Sequence, residues 1–198
     1  MQLNLLNLEP LSEPEIVGLS YIRNFIPPEK AEELVKLIDS QPWLDDLKRR
    51  IQHYGWKYDY TARKVTADLK IGHLPSWLQE LAESLYQKKI FKKIPDQVII
   101  NEYQAGQGIS AHTDCIPCFG DTIASLSLCS PCVIDFINPT TTKKTSKLLE
   151  PLSLVAMKDE ARYEWQHTIA ARKTDKINGQ TINRSRRISL TFRNVIVG

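Results

Sequence analysis

The chain has 198 residues, 42% of them hydrophobic, and a formal net charge of +3; that is enough for one well-buried core and short for two, and the charge is too mild to mark a nucleic-acid binder by itself. Its apolar runs fall far below the roughly 20 residues that cross a bilayer, and MQLNLLNLEPLSEPE has neither a basic region nor a continuous apolar stretch. The expectation is a soluble, intracellular monomer with no membrane contact, in a reducing compartment that keeps its four cysteines as thiols.

In chain order, residues 1–18 read as an irregular leader around Pro10 and Pro14, and residues 19–198 as a single domain that opens with a strand in GLSYIRNFI. PPEKAEELVKLIDSQ predicts a helix: Pro28 suits a first turn, Glu29, Glu32 and Glu33 complement the N-terminal dipole, and Ala31, Leu34, Val35 and Ile38 share one face. Next, RRIQHYGWKYDYTARK (49–64) interleaves cations with aromatic rings, combining phosphate-attracting charge with flat stacking faces. Arg50, Tyr54, Trp56 and Tyr58 are therefore candidate substrate contacts on a lid, against the alternative of an exposed amphipathic hairpin. A second helix follows in LPSWLQELAESLYQKK, with Trp77, Leu78, Leu81 and Leu85 inward.

After Pro95 the period shortens. QVIINEYQ, GISAHTD, TIASLSLCS, CVIDFIN, SLVAMK, ARYEWQH and RRISLTFRNVIV are β-branched and aromatic runs separated by turn signals. Helices followed by many short strands give an α+β class with a jelly-roll core and two N-terminal supporting helices. The basic clusters KKIFKK, TKKTSK and RSRR could attract nucleic acid, but such runs are most often solvated surface.

The stretch GISAHTDCIPC offers two metal sites. Cys115 and Cys118, answered by Cys129 and Cys132, have the spacing of a zinc knuckle. The intervening DTIASLSLC, read as one strand, would hold the two pairs roughly 25 Å apart, too far for ligands that must converge on one ion. Cys129 and Cys132 then become small core residues, and Cys115 and Cys118 a pair open to oxidation. His112 and Asp114, two apart on a strand, leave the same face. With His167 downstream they form a two-histidine, one-carboxylate set that leaves coordination positions open, as in non-haem Fe(II) oxygenases. His53 and His73 read as structural.

RISLTFR decides between these readings. Ile188, Leu190 and Phe192 alternate with Arg187, Ser189, Thr191 and Arg193, giving one apolar and one polar face. In a closed barrel the polar face can line the interior. Six residues of strand separate the arginines by roughly 20 Å, and two side chains of roughly 6 to 7 Å leave a gap near the length of a small dicarboxylate. Fork-shaped, charge-assisted contacts would clamp such a diacid at both ends.

With HTD, a downstream His and R-x5-R in that order, the sequence resembles the AlkB family of Fe(II)/2-oxoglutarate-dependent dioxygenases over about residues 19 to 195. PDQVIINEYQAGQGISAHTD, SLSLCS and ARYEWQH are particularly similar to the branch that hydroxylates a wobble uridine side chain in tRNA. The resemblance implies a double-stranded β-helix fold and catalytic iron on His112, Asp114 and His167. It also implies the far carboxylate of 2-oxoglutarate on Arg187, Arg193 at its other end, and hydrogen bonds from Asn101 and Tyr103. O2 is then the second cosubstrate, and a modified base, unstacked or from a single strand, the partner. Members that repair alkylated bases tend to carry an acid four residues after the first iron histidine, where this chain has Ile116; the family's frequent Asn two after the first Arg is Ser189.

The function expected is oxidative hydroxylation or demethylation of modified bases, in alkylated DNA or RNA or at the wobble uridine of tRNA. Two alternatives stay open: the same iron chemistry on a protein or small molecule, and a non-enzymatic nucleic-acid-binding domain stabilised by zinc.

Overall fold

The computed structural model describes residues 16–177 and 179–197. Most of the expected leader lies outside them; Ile16 is buried, and a turn at Val17 and Gly18 leads into β1 (Leu19–Ile22). Then come α1 (Pro28–Asp39), β2 (Arg50–Tyr54), α2 (Ser76–Gln87), β3 (Gln97–Tyr103), β4 (Ile109–His112), β5 (Phe119–Cys129), β6 (Cys132–Ile137) and β7 (Lys144–Leu149). β8 (Leu154–Met157), α3 (Asp159–Tyr163), β9 (Gln166–Ile169), the hairpin of β10 (Thr174–Ile177) and β11 (Gln180–Asn183), and β12 (Arg187–Val195) complete the chain.

A larger sheet of order β1-β8-β5-β12-β3-β2 and a smaller one of order β4-β9-β6-β7 form the two layers of the barrel. The alternation along β12 sorts its surroundings. Ile188, Leu190 and Phe192 join Val98, Ile100, Leu126 and Leu128 in a core sealed by Leu34 and Ile38 of α1 and Leu78, Leu81, Ala82 and Leu85 of α2. On the other face, Ile123, Val155 and Met157 of the larger sheet meet Ile134, Phe136, Leu149 and Ile169 of the smaller one. Each helix thus spends its apolar stripe on one side of one sheet, which leaves the opposite side free to face its partner sheet across an interior space. α1 begins at Pro28, whose fixed φ suits a first helical turn, and Pro75 immediately precedes α2.

Several expectations need correction. In GLSYIRNFI only Leu19–Ile22 is strand. ARYEWQH is not one strand: Asp159 and Glu160 supply acids to the first turn of the short helix α3, and only Gln166–Ile169 pairs in the sheet. TKKTSK contributes to β7, the edge strand of the smaller sheet, where Lys144 and Lys147 fall on opposite faces, and the β10–β11 hairpin is an element beyond the expected strands. Trp77 is only partly buried, whereas Ala82, small enough to let α2 approach the sheet, is fully so. Cys132 is core but Cys129 is exposed at the strand end. Cys115 and Cys118 are disulfide-bonded, so the expectation of four thiols fails at this pair.

Candidate active site

The site starts from a cross-strand pair. β4 runs antiparallel to β9 with His112 directly opposite His167, and an irregularity between Ile109 and His112 re-aims the strand end. Gly108 makes the approach possible: a Cβ there would sit 2.1 Å from the Ile169 carbonyl oxygen. The imidazole centroids lie 4.3 Å apart. His112 Nδ1 is 2.8 Å from the Ser110 carbonyl oxygen, and since a carbonyl only accepts, Nδ1 carries the proton and Nε2 is left as a ligand atom.

Asp114 completes the set. Its Oδ2 is 3.8 Å from His167 Nε2, and one donor atom from each of the three residues falls within 4.8 Å of the others. An ion bound at about 2.1 Å to nitrogen and oxygen brings neighbouring donors to roughly 3 Å, so a small contraction closes the cluster. It is the one such His/Cys/Asp/Glu group among the described residues. Cys115 and Cys118 lie just before β5 and are bonded to each other, while Cys129 and Cys132 lie at and beyond its far end; the zinc-knuckle alternative has no geometry to support it.

The charges suit a cation. Burial opposes ionisation of Asp114, but Arg193, His167, His112 and Arg162 more than offset it and hold its carboxyl well below the usual carboxylate range. Burial lowers His167 to about 4 against the pull of Asp114, so its ring is neutral with a free lone pair near pH 7.

A cavity of about 530 Å³ opens beside the cluster and is lined by all three residues together with Asn101, Tyr103, Arg187, Ser189, Thr191 and Arg193. The polar face of β12 therefore looks inward. Register explains the company: Arg187 sits opposite Tyr103, and Ser189 opposite Asn101 on one side and Ser127 on the other. Arg187 donates from Nη2 to Ser127 Oγ at 2.9 Å, while its buried Nε has no partner. Because an orphaned guanidinium N–H in a buried wall is costly, it marks a place for an anion, and a dicarboxylate cosubstrate fits there. Burial raises Tyr103, which keeps its phenol a donor. Asn101 accepts from Arg49 Nε at 2.8 Å. Arg193 donates to Asp114 Oδ1 from Nη2 at 2.7 Å and from Nε at 3.1 Å, and to Gln97 at 3.4 Å.

The lid residues divide. Tyr58 lines the cavity, stacked edge-on against Tyr60 with centroids 5.0 Å apart. Arg50, Tyr54 and Trp56 do not reach it. On β2, Arg50 and Tyr54 pair with Glu102 and Val98, the positions of β3 that face the helices. Arg50 forms a two-pronged ion pair with Glu102, and Tyr54 packs on Trp77. Gly55, at φ +76°, ends the alternation, and Trp56 turns to a separate hollow with Lys70 over its ring. Cavity-lining residues outside the expected set include Arg49, Tyr60 and Arg63, which the basic and aromatic segment 49–64 signalled without showing which of its members turn inward, and Lys48, just before that segment. Arg162, buried beneath the metal loop, carried no signal at all.

Residues 18–193 match the 2OG-Fe(II) oxygenase superfamily. The chain is 34% identical over 207 residues, 93% of its length and 60% of the relative's, to an Arabidopsis thaliana protein named alkylated DNA repair protein ALKBH8 homolog. It is 35% identical over 208 residues to the Xenopus tropicalis tRNA (carboxymethyluridine(34)-5-O)-methyltransferase alkbh8, covering 94% of this chain and 33% of that one. It thus spans between a third and three fifths of these relatives. The structure of OsALKBH1 superposes with a TM-score of 0.64 at 16% identity, over 94% of this chain and 99% of that one, a likeness of fold. The chain belongs to the AlkB family of 2OG-Fe(II) oxygenases. It is a dioxygenase whose cofactor is Fe(II) and whose cosubstrate is 2-oxoglutarate. No helix among the described residues is long and apolar enough to cross a membrane.

Proposed function

We propose that this enzyme hydroxylates a carbon-attached side chain on a modified base of single-stranded or unstacked RNA, with the wobble uridine of tRNA as its substrate. The observation that carries the reading is the shared cavity: the His112, Asp114 and His167 cluster, the inward polar face of β12 and a basic, aromatic rim open into one space.

In this reading His112, Asp114 and His167 hold the iron, which together with 2-oxoglutarate and O2 supplies the oxidising power to place one oxygen atom in a C–H bond while the cosubstrate becomes succinate and CO2. Arg187 grips the distal carboxylate through its unpartnered Nε. Tyr103 and Asn101 offer hydrogen bonds beside it. Arg193 fixes Asp114 and has N–H groups to spare for the cosubstrate's near end. Tyr58 and Tyr60 present ring faces to the base, and Lys48, Arg49 and Arg63 attract its phosphates. One observation favours stable hydroxylation over repair of a methylated base: Ile116, 49% exposed, stands where repair members carry an acid; the choice of nucleoside draws on the Xenopus relative, which is named as a methyltransferase of carboxymethyluridine 34 in tRNA.

The test incubates purified protein with Fe(II), 2-oxoglutarate and either bulk tRNA or methylated oligonucleotides, following succinate and nucleoside masses. Succinate coupled to a uridine nucleoside heavier by one oxygen, abolished by Asp114→Ala and, with 2-oxoglutarate near the parent's KM, cut severalfold or more by Arg187→Ala, is the expected result. Formaldehyde release from methylated oligonucleotides with no change in tRNA would overturn the substrate, and turnover unchanged in both variants would overturn the site.

A further inference from the structure

Arg162 is the largest fully shielded side chain among the described residues, at 2% exposure. It lies on α3, five residues before His167, yet its contacts are with the loop that carries Asp114. Nη1 donates to the Asp114 carbonyl at 3.0 Å, Nη2 to those of Cys115 and Phe119 at 3.3 Å each, and Nε to that of Gly120 at 3.2 Å. Two acceptors stand at the start of the loop and two at its end, so a single planar fork closes it. The Cys115–Cys118 bridge spans the same turn. No carboxylate is paired with this guanidinium among the described residues.

A buried guanidinium without an ion partner is expensive. A loop that needed only to be covered would be covered more cheaply by an apolar side chain. What an arginine adds is direction: five donors in a rigid plane. Here they determine where the Asp114 peptide sits while Arg193, from another element, determines where its carboxylate points.

We propose that Arg162 is a positioning residue for the metal centre: by bridging the two ends of the 114–120 loop from the segment that carries His167, it sets the second ligand against the third. This rests on reading the His112, Asp114 and His167 cluster as the iron site. The idea separates cleanly from a charge effect, because the two have opposite signs. A nearby positive charge repels a dication, so on charge alone Arg162→Gln binds metal more tightly and Arg162→Lys binds it as the parent does. On positioning, both variants bind it more weakly, since neither can serve four carbonyls.

The experiment titrates Mn(II) by calorimetry, and Co(II) by its visible spectrum, into the full chain and into Arg162→Lys, Arg162→Gln and Leu81→Ala. The last is a destabilising control in the helix-side core, remote from the loop. Both Arg162 variants should lose tenfold or more in Mn(II) affinity and alter the Co(II) spectrum, with Leu81→Ala matching the parent in both. Unchanged or tighter binding in the Arg162 variants, an equal loss in Leu81→Ala, or failure of both Arg162 variants to fold would each overturn the proposal, the last two by assigning Arg162 to general stability. Absence of Mn(II) binding in the parent chain would instead overturn the iron reading itself.

Discussion

The two faces of β12 share one backbone and obey different rules. On the helix side, Ile188, Leu190 and Phe192 are almost fully buried among apolar neighbours, and they contribute through removal of apolar surface from water and close packing. On the cavity side, Arg187, Ser189 and Arg193 are nearly as buried, yet they are polar or charged and one of their N–H groups is unpaired. Burial without satisfaction is destabilising; the strand tolerates it because its other face is anchored so well. The supporting face holds the chain in place, and the working face waits for ligands.

Substitutions on the two faces should therefore separate function from stability. The largest effect is expected at the working face: His112→Ala or His167→Ala should cut succinate production roughly 1,000-fold or more, since two ligands hold an open-sited ion poorly, with the melting transition largely kept. On the supporting face, Phe192→Ala should cost about 3 to 5 kcal/mol in denaturant unfolding and leave the Mn(II) affinity of the folded protein unchanged.

A smaller effect lies in acid. Burial, with Lys57 and Arg193 nearby, pushes His53 down to about 4 from an ordinary 6.5. Between those values the unfolded chain binds the proton and the folded one does not, so this residue's share of stability is full above pH 6.5 and is lost as pH falls toward 4. The ceiling is roughly 3 kcal/mol for one proton. Chemical unfolding from pH 7 to 4.5 should show a shallower decline in His53→Phe than in the parent. Next in size, Arg187→Ala should raise the KM for 2-oxoglutarate about 30-fold, near 2 kcal/mol. Smallest of all, Tyr58→Ala should weaken nucleic-acid binding about tenfold and Arg50→Ala hardly at all, since Arg50 is engaged with Glu102 on the far side of the sheet.

Much of the site was legible because it follows period two. The alternation in RISLTFR placed Arg187 and Arg193 on one face, and the spacing in INEY placed Asn101 and Tyr103 together; pairing in register then brought these faces to one cavity. Illegible parts are those where an alternating pattern stops without announcing it. Tyr54, Trp56 and Tyr58 alternate in sequence, but β2 ends at Tyr54 and Gly55 turns the chain, so the three do not share a face. Ala161, Tyr163 and Trp165 alternate too, yet lie on and just after a helical turn begun by Asp159 at positive φ. Arg162 was invisible for another reason: a lone arginine is ordinarily a surface residue, and only the folded loop supplies the carbonyls that bury it.

The central claim is that one interior space holds a ferrous ion on three side chains and a keto-diacid on Arg187. It is tested most directly by an anaerobic crystal structure of the full chain with Mn(II) and 2-oxoglutarate. The account predicts a single ion bound to His112 Nε2, an Asp114 carboxylate oxygen and His167 Nε2, with the distal carboxylate of the cosubstrate against Arg187 Nε. An ion held elsewhere, or a cosubstrate carboxylate that leaves Arg187 Nε unpaired, would contradict it.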